Sequence, residues 1–489
     1  MKVQLVHPQP HYGQPRNGGA VPHLGLWVLA SHIRQQLPQL HVEVLDGRTT
    51  SQDDLARRLD ADVVGFSATL YNYPHCLELA QEAKGRGARV IMGGIHATAV
   101  CVNILRNRPH VDAVVIGDGE RALERLLQGS ELETIENVVV RSGDGWESPN
   151  ATDRSGLPKP VFYSPSDLPR VEFDREHVQA LVAAAMKQGV LPEDVMLPSL
   201  SHKGCSYRGA RRCYFCSIRS APLSFVRPAA FWDQVCLHVR QHGIRRFHDV
   251  GDSIGGSRRA PRSADDIGDG LIWLRAAAAA RPDEAQNVEL LMYVRPDDLA
   301  RPGYADALDA VGARTLYVGF ESNSAQSLAA FRKGTIPEDN ERALETLDKC
   351  GFQLYATFIL GAPGETDQSL DETRKFAHRV RRILGDRAKM LGANIMIAYP
   401  GVPAFAELAK ARPDLLTADL LDPNDLTRAW VEHACNLSGP RSRWWDKLVD
   451  ACEEIGSLTG DTVKLYDHAS AGATGAAATD PVRAVGDAL

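Results

Sequence analysis

Short apolar runs alternate with segments of helical periodicity along most of this chain, and that alternation constrains its fold more than any other feature. MKVQLVHP, HVEVLDG, DVVGFSATL, ARVIMGGIHA and VDAVVIGDGE are strand-like runs, several of them closed by Gly-, Ser- or Thr-rich turns. HLGLWVLASHIRQQL, DDLARRLD, CLELAQEAKGRG and RALERLLQG carry apolar residues at helical spacing. Parallel strands need a crossover between them, so this pattern predicts an α/β, doubly wound, Rossmann-like sheet over residues 1–150. Ligands of such sheets sit outside the carboxyl ends of the strands. Residues 151–195 are a Pro-rich connector. A second alternation follows, with strand-like MLPSLSHKG, IRRFHDVGDS, NVELLMYVRPDDL, ARTLYVGFESNS, FQLYATFILGAPGET and KMLGANIMIAYPG. Six such units predict a partial, TIM-like (β/α) barrel over 196–405, with function on the loops that follow its strands. Residues 406–468 have helical patterning. ASAGATGAAATDPVRAVGDAL, 469–489, has the low complexity of a disordered tail.

The 489 residues are 44% apolar and 24% charged, with a net charge of −7, so no global basic field points to nucleic acid. No apolar run reaches the roughly 18–20 residues that span a bilayer, and the apolar start is too short for a signal peptide. A cytoplasmic protein with reduced thiols is expected. Six of the nine cysteines, Cys76, Cys101, Cys236, Cys350, Cys435 and Cys452, are scattered and read as small core residues. The other three lie together in SHKGCSYRGARRCYFCSI: Cys205, Cys213 and Cys216.

Structural zinc takes four ligands, and here one C-x2-C pair has a single outlying cysteine. His202, three residues before Cys205, offers a fourth ligand, so a zinc site stays open. An iron–sulfur cluster held by three cysteines instead leaves one iron free for a ligand. Placement on a loop after a barrel strand favours the cluster over a self-contained zinc module.

On these residues the chain resembles the radical S-adenosylmethionine superfamily, whose usual signature is C-x3-C-x-Φ-C with Φ aromatic. Cys213-Tyr214-Phe215-Cys216 matches the second half, with Phe215 as Φ, while seven residues rather than three separate Cys205 from Cys213. The resemblance implies a [4Fe-4S] cluster on Cys205, Cys213 and Cys216, with S-adenosylmethionine on the open iron. Arg208, Arg211, Arg212 and Arg219 would offset the cluster's charge. Glu321 and Ser322, closing the fourth strand, would meet the ribose. Ile359, Gly361 and Gly364, with Glu365 as a weaker candidate, would flank the adenine, and Arg295 would face the cofactor. Asp249 and Asp252 stand where the family usually has Gly-Gly-Glu, which holds the methionine amine.

The first 125 residues are similar to the cobalamin-binding domain fused to many radical enzymes. DVVGFSATL, VIMGGIHATA and DAVVIGDGE carry that resemblance, in order and at matching intervals. It implies that Ser67 and Thr69 meet the lower face or nucleotide tail, with Leu70 and Tyr71 behind. Gly93, Gly94 and Gly117 would flank the tail, and His96 and Glu120 complete the candidate set. The cobalt-ligand pattern D-x-H-x-x-G is missing, so His96 is expected to be a hydrogen-bonding loop residue rather than a cobalt ligand.

Together the two resemblances imply a cobalamin-dependent methyltransferase. S-adenosylmethionine cleavage would give a 5′-deoxyadenosyl radical, and methylcobalamin would methylate an unactivated carbon of a small molecule. An external flavodoxin- or ferredoxin-type donor would supply electrons, with no nucleic acid or membrane partner. Rearrangement or cyclisation without methyl transfer, polar methylation, and a zinc-containing scaffold are the alternatives. No catalytic acid or base can be assigned; Asp252, Tyr293, Tyr355 and Tyr399 are candidates. Trp430, Trp444 and Trp445 are candidates to line the substrate.

Overall fold

The apolar runs of the first half form the strands expected of them, and the periodic segments cover both faces. The computed structural model describes residues 1–12, 21–153, 156–207, 212–217, 223–255 and 269–460. Arg208, Arg211, Arg219 and the tail at 469–489 therefore lie outside the described residues. β1 (Lys2–His7), β2 (His41–Asp46), β3 (Val63–Ser67), β4 (Arg89–Gly93) and β5 (Ala113–Val115) pair in parallel, in the order β2-β1-β3-β4-β5. Of the connecting helices, α1 (Leu24–Gln36) and α5 (Glu120–Leu127) cover one face. α2 (Gln52–Arg58), α3 (Tyr73–Gly85) and α4 (Ile95–Asn107) cover the other.

Three elements depart from the expectation. The run ARVIMGGIHA is not one strand, because the chain leaves the sheet at Gly94 and α4 begins at once. Gly94 has φ +94°, and a Cβ there would lie 2.6 Å from the Ala68 carbonyl oxygen, so only glycine makes this turn. β6 (Val138–Ser142) and β7 (Gly145–Glu147) extend the sheet antiparallel. The connector carries a helix, α6 (Arg175–Lys187), preceded by Phe173. The Phe173 ring lies 5.4 Å from Trp27 of the first domain and 4.7 Å from His238 of the second. The connector is thus a packed layer between the domains.

The second sheet contains β8 (Met196–Ser199), β11 (Arg246–Asp249), β12 (Glu289–Val294), β13 (Ala313–Glu321), β14 (Gln353–Leu360) and β15 (Ala388–Ile395). All pairs are parallel and neighbours follow chain order, with β8 and β15 as the two edges of an open barrel. A hairpin of β9 (His202–Lys203) and β10 (Ser224–Phe225) closes the base of the cysteine loop. The outer helices are α7 (Pro228–His242), α8 (Gly270–Ala279), α9 (Pro296–Leu299), α10 (Tyr304–Val311), α11 (Ala325–Ala330), α12 (Pro337–Cys350) and α13 (Asp367–Leu384). Alternation in β14 shows why the strands sit so. Leu354, Ala356, Phe358 and Leu360 are buried, while Tyr355, Thr357 and Ile359 face the lumen half-buried. Phe358 and Phe320 pack on Phe376 of α13, with ring centroids 6.3 and 5.1 Å apart.

The C-terminal region is helical as expected: α14 (Pro403–Ala411), α15 (Pro423–Ala434) and α16 (Trp444–Ser457). α16 lies against β15 and buries Trp444 and Trp445 there, so these two are core residues and do not line a substrate. Among the described residues no helix is long and apolar enough to cross a membrane.

Candidate active site

The carboxyl ends of β3 and β4 form a ledge. Ser67, Thr69 and Gly93 are half-exposed there, and Ile95, at the start of α4, is an apolar side chain left 50% exposed. The β3 turn is set by buried Asn72, whose amide oxygen accepts from the Thr69 N–H at 2.7 Å and hydroxyl at 3.1 Å. The Asn72 amide in turn donates to the Ser67 carbonyl at 3.1 Å. At Gly93 an added Cβ would find no heavy atom nearer than 3.6 Å, so the strand end is open. Small residues beside an exposed apolar one fit a flat, partly apolar macrocycle with a narrow tail.

Other candidates of this domain are engaged elsewhere. His96 is buried against Tyr73, and its Nε2 lies 2.9 Å from the Asp419 carbonyl oxygen. Burial pushes its imidazole down to about 4, so it is a neutral hydrogen-bonding residue between α4 and the C-terminal region. Its ring is thus engaged away from the ledge. Gly117 is covered by the connector: a Cβ there would lie 2.8 Å from Pro160 and Val161. Glu120 is buried at the start of α5, where burial raises its carboxyl and Lys203 lies near. Gly117 and Glu120 therefore shape the junction with the connector and do not face the open strand ends.

Across from the ledge stands the barrel mouth. The Tyr71 hydroxyl meets the Tyr399 hydroxyl at 2.9 Å, joining the loop after β3 to the loop after β15. Leu70 and Tyr71 share an apolar cluster with Phe331, Met396, Val402 and Trp430, against which Phe215, Tyr214 and Ile359 also pack. The two candidate sites thus face one another across an apolar seam.

The cysteine loop is fastened over this mouth. The Tyr214 N–H donates to the Phe331 carbonyl at 2.8 Å, the Cys216 N–H to the Cys213 carbonyl at 3.2 Å, and Arg212 to the Gly401 carbonyl at 3.0 Å. Phe215 packs edge-on against Phe331, centroids 5.4 Å apart. Cys213 is buried and Cys205 and Cys216 are half-buried. Among the described residues no three His, Cys, Asp or Glu side chains are preset at metal-holding positions. His202 is excluded as a fourth ligand. Its Nε2 accepts from the Ser253 N–H at 3.1 Å, its Nδ1 lies 2.8 Å from the Ser201 hydroxyl, and its ring is wedged against Gly251. The loop stretches outside the described residues contain no Cys, His, Asp or Glu. Among the described residues the loop itself offers three thiols, a donor set that fits a cluster with one open corner.

Arg295 is buried at the end of β12, over the Tyr207 ring at 3.7 Å, and donates to the Lys333 carbonyl at 2.6 Å. It stands beside the cysteine loop. Asp249 instead accepts from the Ser201 N–H at 2.7 Å and from the Ser201 hydroxyl, and burial lifts its carboxyl to about 7. It ties β8 to β11 and offers nothing to a cofactor amine. Asp252 is half-exposed beside Gly204, closer to the cysteine loop.

Glu321 ends β13 at φ +63°, where the pairing with β14 slips between Gly319 and Glu321. Such a left-handed turn in a non-glycine residue re-aims its side chain into the mouth. Its carboxylate meets the Lys333 ammonium at 2.7 Å, both side chains being only 8% exposed. Lys333, which the sequence analysis does not single out, joins Glu321 at the mouth. Ser322, by contrast, turns outward to the Thr373 hydroxyl at 2.7 Å and anchors α13. Ile359 faces the lumen. Gly361 (φ +82°) and Ala362 donate to Glu365 at 3.1 Å, and Ser327 and Ser369 also bond that carboxylate. Glu365 is thus the knot that folds the 361–365 loop, and Trp430 secures it by donating to the Gly361 carbonyl at 2.8 Å.

Comparison with known proteins agrees with this geometry. The B12 binding domain matches residues 17–127 and the Radical SAM superfamily matches residues 201–377. An uncharacterized methyltransferase of Pyrococcus horikoshii, PH0819, is 27% identical over 436 residues, covering 85% of each chain. The anaerobic magnesium-protoporphyrin IX monomethyl ester cyclase of Rubrivivax gelatinosus is 24% identical, covering 77% of this chain and 65% of its own, so the chain spans just under two thirds of that relative. The radical S-adenosylmethionine methyltransferase TsrM from Kitasatospora setae, solved with cobalamin and a [4Fe-4S] cluster, shares the fold. Its TM-score is 0.63 at 19% identity, over 84% of this chain and 75% of that one. An open ledge of small residues, a three-thiol loop on a partial barrel and these two domain matches converge: the chain is a cobalamin-dependent radical S-adenosylmethionine enzyme, a B12 binding domain joined to a radical SAM domain.

Proposed function

We propose that the chain methylates a carbon atom of a small-molecule substrate held between the ledge and the barrel mouth. Cys205, Cys213 and Cys216 would hold the cluster; Phe215, Arg295, Glu321, Ile359 and the Gly361 backbone would hold S-adenosylmethionine; Ser67, Thr69, Gly93 and Gly94 would hold cobalamin. When bound, the cluster and S-adenosylmethionine supply radical-generating chemistry and cobalamin a transferable methyl group. The chain's own residues place and seal. Leu70, Tyr71, Tyr399 and Phe331 exclude water from the seam, and the Arg295 guanidinium sets a buried positive charge beside the thiols. The observation that carries the reading is the Tyr71–Tyr399 contact, which fixes the strand ends of the two domains face to face. We place the enzyme in the cytoplasm, reduced by a flavodoxin- or ferredoxin-type donor.

Anaerobic purification with hydroxocobalamin is expected to give about four irons and one corrinoid per chain. Turnover is expected to give a product heavier by one CH2 unit, with deoxyadenosine alongside. A chain that holds zinc and no iron would overturn the reading. The cyclase relative favours a second reading, ring formation without methyl transfer. That outcome is marked by deoxyadenosine with no added carbon in the product.

A further inference from the structure

Below the cofactor residues the barrel lumen has a defined floor. Tyr293, Tyr317 and Tyr355 are register partners on β12, β13 and β14, and Met390 continues the row on β15. Ring centroids are 4.6 Å apart for Tyr293–Tyr317 and 6.3 Å for Tyr317–Tyr355, and His248 of β11 stands 5.2 Å from Tyr293. In the next row up Gly319, Thr357 and Gly392 are register partners; the Glu321 carboxylate and Lys333 ammonium fold over Gly319, which leaves the open space above Thr357 and Gly392. A Cβ on Gly392 would meet no heavy atom nearer than 3.7 Å. The row above that brings in Ile359 and Asn394 at the rim. Two rows of parallel strand rise about 13 Å, so a chamber one row deep lies between the tyrosine floor and the cofactor residues.

Solvent reaches this chamber. Tyr293, Tyr355, Thr357, Gly392 and Asn394 are half-exposed although they sit on paired strands whose other face is covered by helices. Two polar atoms here have no partner: Nε2 of His248, a side chain 8% exposed, and Oδ1 of Asn394. Buried polar atoms are normally satisfied, and an orphan at the edge of a chamber marks a place for a ligand group. The cations that border it are paired, while the Asp249 carboxyl, which acts on Tyr293, is held by hydrogen bonds from Ser201. Arg246 meets Asp194 and, at 3.3 Å, Glu289, and Lys333 meets Glu321.

We propose that this chamber takes an uncharged aromatic or heteroaromatic ring of the substrate, face to the tyrosine floor, with an N–H or O–H of that ring directed at Asn394 or His248. A row of aromatic faces beneath the open positions at Thr357 and Gly392 selects flat, polarisable groups over aliphatic ones of equal size. No unpaired cation lines the described walls, so an anionic ring finds no counter-charge there. The ring would enter the lumen below the Ile359 and Asn394 rim as an anchor, while the rest of the substrate stays between the ledge and the mouth. This assignment rests on the methyltransferase reading for its place in turnover, but the selectivity of the chamber does not.

The test is ligand-observed NMR titration of the full reconstituted chain with three probes: indole, cyclohexanemethanol and benzoate. Indole is expected to bind about tenfold more tightly than either of the others. Tyr355→Leu is expected to remove that preference and Tyr355→Phe to keep it, since the ring rather than the hydroxyl forms the floor. Gly392→Val, which fills the chamber without touching a tyrosine, is expected to abolish indole binding, and thermal melting confirms that each variant is folded. Equal binding of indole and cyclohexanemethanol by the wild-type chain overturns the proposal even if every variant unfolds. Iron and cobalt content on the same samples separates the two failures. Cofactors retained without ring selectivity sink the chamber, whereas ring selectivity without cofactors sinks the methyltransferase.

Discussion

Lys333→Met strands the Glu321 carboxylate at the barrel mouth. The two side chains meet at 2.7 Å, each 8% exposed, and the Glu321 carboxylate lies over Gly319, so close that a Cβ there could not fit beside it. No water-filled route is needed to see the consequence: removing one partner of a buried pair leaves an uncompensated charge, which costs ~3–5 kcal/mol. A barrel domain of this size shifts its melting point by about 2–4 °C per kcal/mol, so the first thermal transition should fall by about 6–20 °C. Methionine fills nearly the same volume as the lysine stem, so little of this is cavity formation. The double variant Glu321→Gln/Lys333→Met removes both charges and should recover more than half of the loss, because the isolated charge and not the missing bond is the main cost. Differential scanning calorimetry on the four proteins of this cycle measures the coupling. If Lys333→Met melts within about 1 °C of the wild type, or if the two losses simply add, the pair is solvated and the reasoning fails.

Asp419→Asn should loosen the C-terminal region from the first domain. Burial alone would raise the Asp419 carboxyl, but bonds from Arg108, Tyr73 and Asn107 outweigh it and hold the group below the usual range. A depressed native pKa stabilises fully above the unfolded value, about 4, and the benefit fades as the pH falls below it. Melting points of wild type and Asn variant should therefore converge below that pH and separate above it. His96→Gln keeps a hydrogen-bond donor toward the Asp419 carbonyl, and the visible spectrum of bound cobalamin should not change. A spectrum that shifts would restore His96 as a cobalt ligand. Cys213→Ser should lose the brown chromophore and bound iron while the cobalamin spectrum survives, since the thiol and the ledge belong to different domains.

Legibility followed the physics of each signal. Strand and helix identity were plain wherever one face of an element is buried, because burial writes its period into the sequence, as in the alternation of β14. The boundary at Gly94 was not, since the apolar run continues through it into α4 and only the backbone torsion separates the two. The three thiols and Arg295 stand out in sequence by their chemistry and by their position after strands, and the fold sets them side by side. Asp249, Ser322 and Glu365 could not be told from cofactor contacts. A carboxylate that ends a strand looks the same in sequence whether it meets a ligand or knots its own loop. Lys333 was missed for the opposite reason. It lies twelve residues from Glu321 along the chain, and only the fold brings the two together.

The C-terminal region explains how two separate domains keep one seam. Asp419 accepts from Tyr73 at 2.6 Å, Arg108 at 2.7 Å and Asn107 at 2.8 Å, all in the first domain, and its carbonyl holds His96. Eleven residues later Trp430 donates to the Gly361 carbonyl, and the Ala434 carbonyl accepts from the Gly364 N–H at 2.6 Å, both on the barrel loop that Glu365 knots. Asp419, four residues before α15, is therefore pinned to the ledge domain, and Trp430 and Ala434 of α15 to the cofactor loop. A segment bonded to both domains restricts the distance between them more than the Tyr71–Tyr399 bond alone. Group transfer across a domain interface depends on that distance, since loss of near-attack geometry by about 1 Å costs about 100-fold in rate. The helices after the barrel thus act as the spacer that makes the two cofactor sites one active site.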